Sequence, residues 1–225
     1  MTVKFALKTI AIAAALTFAG ASQAINISTH SSTTFSNSAM DLNGRTAVRL
    51  IEWDVNTLEG SFLAFCIEPD VGGHSADTSY VATVGNPTTA IMKLYQTSYA
   101  DVVAGNTAKA AAFQLALWEM MDTQNFTTGS FKLPTTGYSR AGNEAIALDA
   151  YAMVQEANAY TGLLNGYKYT TYTSAVGVDG LHTSQTVMSV SAVPEADTWA
   201  MLAAGLGLVG FMGRRQSRRA EKFSA

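Results

Sequence analysis

Two side chains in this sequence have the types for covalent chemistry: the single cysteine, Cys66, and a glutamine, Gln114, set in an apolar run. One cysteine excludes an intramolecular disulfide. Its thiol is left for an intermolecular partner, for reaction, or for burial as a small hydrophobe. It lies in Phe65-Cys66-Ile67-Glu68-Pro69, which reads as a strand ending in a turn. Gln114 shares a helical stripe with Ala110, Phe113, Leu117, Trp118 and Met121. The opposite side, Ala111, Ala112, Leu115 and Ala116, is also apolar, with charge only at Lys109, Glu119 and Asp122 near the ends. A helix apolar nearly all round is a buried helix. A buried carboxamide left unpaired costs about 1–3 kcal/mol, so Gln114 must have a partner. The simplest is a strand carbonyl.

The elements that must position these residues follow from pattern. Residues 46–54 and 61–67 alternate as strands, with Asn43-Gly44 before the first and Glu59-Gly60 between them as turn signals. The Ser/Thr-rich 28–38 is either an edge strand or an unstructured lead-in. Asn86 as cap and Pro87 at the first helical position open a helix over 88–99. Asn106 or Thr107 caps a second, over 108–121. Ile146, Ala150, Met153 and Ala157 mark a third over 141–160, with Ser139 as its cap. After Gly166 the period returns to two, and 167–174 and 183–191 read as strands. The expected class is α+β, a mainly antiparallel β framework with about three inserted helices, plus a signal helix before it and a transmembrane helix after it.

The two ends read as targeting segments. Lys4 and Lys8, the apolar 10–19 and the small residues Ser22 and Ala24 follow the secretory plan, so 1–24 is expected to be a signal peptide cleaved after Ala24. The body is then 25–192. It holds seven of the 14 basic residues and 14 of the 17 acidic ones, a balance near −7 that argues against nucleic-acid binding. The tail, 193–225, opens with Val193-Pro194-Glu195-Ala196, continues through an uncharged apolar stretch of 16 residues at 198–213, and ends in an Arg-rich cluster at 214–222. The stretch is short for a span, though within reach of a thinned bilayer. The basic cluster should stay cytoplasmic, which places the body outside.

These three tail parts resemble the PEP-CTERM sorting signal, with Ala196 standing where many members carry a second proline. The resemblance implies recognition by an exosortase, a membrane protease of bacteria that secrete exopolysaccharide. The chain would pass the inner membrane, stay anchored facing the periplasm, and end at the cell surface or in the extracellular matrix.

The body resembles the Cys-Gln thioester (TQxA) domain of bacterial surface proteins. Phe65-Cys66-Ile67-Glu68 and, later, Gln114-Leu115-Ala116-Leu117-Trp118 carry the likeness. Phe113 stands where the named motif has threonine. The resemblance implies an internal thioester between Cys66 and Gln114, in a pocket walled by Phe65, Glu68, Phe113 and Trp118. Surface nucleophiles, on exopolysaccharide or protein, attack such an acyl group and release the thiol, without turnover. The expected role is therefore adhesion rather than enzymatic catalysis. Glu68 or Glu119 would assist proton transfer or serve as surface and capping groups.

Other signals are weaker. A plain matrix protein, with Cys66 and Gln114 merely packed, is the alternative. A hydrolase with Cys66 as nucleophile lacks a placed histidine, since His30, His74 and His182 are scattered. The acidic stretch Glu68, Asp70, His74 and Asp77 has oxygen ligands but no calcium-loop spacing, so a solvated loop is expected there. No cofactor or metal motif is present.

Overall fold

The computed structural model describes residues 25–36, 41–42, 47–57, 60–71, 80–133, 138, 142–176, 182–193, 202 and 204–209. Between residues 25 and 193, eight strands and three helices are assigned: β1 Asn26–Ser36, β2 Asp41–Leu42, β3 Ala47–Thr57, β4 Gly60–Cys66, β5 Tyr80–Val84, α1 Thr89–Ala104, α2 Thr107–Met121, β6 Phe131–Lys132, α3 Asn143–Ala159, β7 Tyr167–Ser174 and β8 Val187–Ala192. Six strands form one sheet in the order β1-β3-β4-β8-β7-β5, every neighbouring pair antiparallel. β2 and β6 pair apart from it. The class is α+β, as the sequence indicates.

β1 settles the choice left open at 28–38 for its described part: residues 28–36 belong to a strand at the sheet edge, paired with β3 across a register shift between Thr29 and Ser31. β5, at the other edge, has no counterpart in the sequence reading. Its residues after Tyr80 are exposed, so no alternation of burial was selected there. β8 begins four residues later than expected. Residues 183–186 instead form the bend that leads into it.

The helix starts also differ in detail. Thr88, not Asn86, caps α1, accepting from the Ile91 N–H, and the helix runs on to Ala104. Thr88 keeps an extended backbone (φ −61°, ψ 153°), so Pro87 falls before the helix instead of opening it. Asn106 caps α2 and accepts from the N–H groups of Ala108 and Lys109. Gly142 caps α3 in the left-handed region at φ 85°, with no side-chain bond; Ser139 lies outside the described residues.

The three helices cover one sheet face. Their core includes Leu94, Tyr95, Phe113, Leu117, Ala150 and Val154 against Phe35, Leu50, Phe65 and Met188 from the strands. The other face carries a smaller cluster of Trp53, Val55, Ala64, Tyr172 and Val187. α2 is buried at every position from Ala110 to Met120 and packs against both α1 and α3. Each large apolar side chain so enclosed contributes about 1.5–3 kcal/mol. α2 is thus the element least free to move, and it carries Gln114.

The leader, 1–24, lies outside the described residues, as does most of 198–213. Residues 204–209 are helical and exposed. No helix among the described residues is long and apolar enough to cross a membrane.

Candidate functional site

Cys66 ends β4, opposite Val187 of β8. In an antiparallel ladder successive residues turn their N–H and C=O to opposite sides. Ile67 donates toward β8, to the Thr186 carbonyl at 3.0 Å. The backbone of Cys66 therefore turns the other way, toward β3. That strand stops pairing with β4 at Glu52↔Phe65, one residue too early to meet it. Buried backbone groups must be paired, and here a side chain supplies the missing strand. Gln114 Oε1 accepts from the Cys66 N–H at 2.8 Å, and Gln114 Nε2 donates to the Cys66 carbonyl at 2.8 Å. The carboxamide mimics a peptide unit. The strand carbonyl expected as partner is the carbonyl of Cys66 itself.

The same carbonyl takes a second donor, Trp118 Nε1, at 3.0 Å. Trp118 lies four residues after Gln114 and reaches the same side of α2. Its ring stacks on Phe131 of β6, centroids 5.6 Å apart. Phe65 and Phe113 meet with centroids at 4.8 Å, and Tyr95 meets Phe113 at 5.0 Å. Phe113, the departure from the thioester motif, is fully buried in this aromatic group. Cys66, Gln114, Phe65, Phe113 and Trp118 are all buried and form one site.

The sulfur sits in this dry setting and accepts from the Glu68 N–H at 3.3 Å. Burial pushes the Cys66 thiol up to about 12 despite that bond and the contact with Trp118, and the charges of Glu68 and Asp70 push the same way. The free thiol is thus protonated at neutral pH, which weighs against a standing thiolate nucleophile.

Glu68 faces outward from the end of β4. Its Oε2 accepts from Thr186 Oγ1 at 2.6 Å, from His182 Nδ1 at 2.7 Å and from the Thr186 N–H at 3.3 Å. Burial raises its pKa, but the bonds from Thr186 and His182 outweigh that, leaving the carboxyl below its ordinary value. The sequence reading counted His182 among scattered histidines. It lies 114 residues from Glu68, and no spacing rule links the two. His30 is elsewhere, bonded to Asp54 on the β1–β3 edge.

Glu119 corrects an expectation. It is fully buried and not on the surface. It does act as a cap beyond α2: its Oε1 accepts from Thr123 Oγ1 and from the Asn125 N–H, both at 2.7 Å. Burial raises its pKa, the bonds from Thr123 and Asn125 lower it, and Asp122 raises it; the net shift is upward. Of the acidic stretch after Cys66, His74 and Asp77 lie outside the described residues. Among the described residues no group of three His, Cys, Asp or Glu side chains is placed to hold a metal ion.

The tail follows β8 directly. Val193 is exposed, and its N–H donates to the Gly166 carbonyl at 2.9 Å. Pro194, Glu195 and Ala196 lie outside the described residues. Residues 192–219 match the PEP-CTERM protein-sorting motif. Signals of this kind are recognised by exosortase, a membrane protein, and imply export with transient membrane anchoring before surface release. The chain is in this sense an exosortase-sorted extracellular or surface protein. The match lies wholly C-terminal to the Cys66–Gln114 site. No curated protein and no solved structure matches the chain.

Proposed function

We propose that this exported protein couples covalently to nucleophiles of the exopolysaccharide matrix or of surface proteins, through a thioester between Cys66 and Gln114. The observation that carries the reading is the spare donor on the Cys66 carbonyl. In the amide form that oxygen is served by Gln114 Nε2 and by Trp118 Nε1. When the Cys66 sulfur bonds to Gln114 Cδ, the C–N bond breaks and Nε2 departs as ammonia, taking the thiol proton. Trp118 then still satisfies the carbonyl, so no buried polar group is orphaned by the reaction. Gln114 Oε1, which accepts from the Cys66 N–H at 2.8 Å in the amide form, becomes the thioester oxygen. That donor polarises the acyl carbon and meets charge developing on its oxygen in both formation and opening. The buried Phe65, Phe113 and Trp118 exclude water, which favours attack by a docked nucleophile over hydrolysis.

A second reading has its own observation. A thiol held up at about 12 is a poor nucleophile, and the Gln114 pairing serves structure equally well as a substitute strand. In that reading the chain is a non-covalent structural or binding protein of the matrix. Intact mass of the freshly purified exported protein separates the two, with Cys66→Ala as control. The thioester predicts a mass short by one ammonia, a Cys66–Gln114 cross-link in peptide maps, and release of a thiol on adding methylamine. A full mass with a thiol that titrates after unfolding overturns it and leaves the structural reading.

A further inference from the structure

From the contacts around Glu68 we infer that His182 is the base that opens this site toward a neutral hydroxyl nucleophile, such as a sugar hydroxyl, with Glu68 as its positioning residue. The inference rests on the thioester reading and names its substrate class.

Two bonds from one residue carry it. The Glu68 N–H touches the Cys66 sulfur at 3.3 Å, and the Glu68 carboxylate holds His182 Nδ1 at 2.7 Å. Glu68 therefore links the imidazole to the turn that holds the sulfur, its backbone bonded to one and its carboxylate to the other. The His182 side chain is 27% exposed and that of Glu68 31%, whereas Cys66, Phe65 and Gln114 are buried. Thr186 donates to the same carboxylate oxygen through both Oγ1 and N–H, so the carboxylate is fixed from two directions. Its grip on Nδ1 leaves Nε2, with no bond among the described residues, as the nitrogen that would take a proton. Such orientation through the far nitrogen is how a carboxylate prepares an imidazole for proton transfer. A hydroxyl needs that help, because its proton must leave as its oxygen attacks, whereas an unprotonated amine attacks without it.

The step balances. The hydroxyl oxygen bonds to Gln114 Cδ and the C–S bond breaks. The hydroxyl proton passes to His182 Nε2 and then to the Cys66 sulfur, which leaves as a thiol. The Glu68 N–H meets the charge on the departing sulfur.

The test follows adduct mass on the full exported protein, offered glycerol as the hydroxyl and hydrazine as an amine that needs no base. His182→Asn retains a side-chain N–H for Glu68 and removes the base; His182→Ala removes both. Both variants should load the thioester. Both should lose roughly a hundredfold in the glycerol rate, the size of a general-base contribution, while the hydrazine rate holds. Added imidazole should restore part of the glycerol rate in His182→Ala. Unchanged glycerol rates, or equal losses with both nucleophiles, would overturn the role of His182 and leave the thioester standing. Failure of the variants alone to load would assign His182 to bond formation and overturn the opening role. A full-mass, free-thiol wild-type protein would overturn the thioester reading and this inference with it.

Discussion

Burial that lifts the Cys66 thiol from its ordinary 9.0 to about 12 also ties the state of that sulfur to alkaline stability. The native thiol keeps its proton up to about 12, whereas the unfolded chain releases it near the ordinary value. The contribution is whole below pH 9 and is lost as pH rises from there toward 12, at about 1.4 kcal/mol per unit. Denaturant unfolding at pH 8 and pH 10 should therefore show the free-thiol wild type losing about 1 kcal/mol more than Cys66→Ala. Equal losses would mean that the sulfur carries no proton to lose, as in the thioester, or is not enclosed. At this scale the sequence was informative about Gln114, because a carboxamide inside an apolar helix must be paired. It was silent about His182. A lone histidine in a polar stretch carries no signal until the fold brings Glu68 beside it.

At the scale of elements, α2 delivers both donors of the site, and the loop after it is anchored by the buried Glu119. That loop turns at Gly129, where φ is 81° and a Cβ would stand 2.3 Å from the Asp122 carboxylate. It returns to Phe131, which stacks on Trp118. Glu119 thus supports the tryptophan from behind. Its Oε2 is buried with no hydrogen-bond partner among the described residues, and its raised pKa makes the charged form the costly one. The stability it lends is present at low pH and is lost as pH rises through its folded pKa. Glu119→Gln keeps an acceptor for Thr123 and Asn125 without the charge. It should match or exceed wild-type stability at pH 8 and flatten the pH dependence. Glu119→Ala should cost roughly 1–3 kcal/mol by removing the acceptor that Thr123 Oγ1 and the Asn125 N–H share and by leaving a cavity. Denaturant midpoints across pH check both, and a Glu119→Gln less stable than wild type at pH 8 would refute the assignment. The apolar run of α2 disclosed its burial but misled on Glu119, because a carboxylate near a helix end ordinarily faces water.

For the whole molecule, the body and the sorting segment meet without a linker. β8 lies between β4 and β7 in the sheet interior and ends at Ala192, and the motif match begins at that residue. A cut near Pro194-Glu195 would spare the sheet, whereas a cut before Val187 would remove a central strand. Pro194→Ala with Glu195→Ala should leave the chain unprocessed in the membrane fraction with the body folded. Fractionation, intact mass and thermal melting of the body read the two effects separately. Normal processing of the double variant would assign recognition to other parts of the tail.

By itself the sequence determined the sorting motif, the α+β class, the three helices of the body and the need for a partner on Gln114. Each is written in a local pattern: a tripartite tail, a change of period, an amide in an apolar stripe. Tertiary structure alone decided that β3 leaves β4 one residue short of Cys66, so that Gln114 takes the place of a strand. It also decided that Trp118 doubles the bond to the Cys66 carbonyl, and that Glu68 meets His182 and Thr186. These depend on strand register and on closing loops of more than a hundred residues. No local propensity encodes them, because their energy comes from packing the whole core at once.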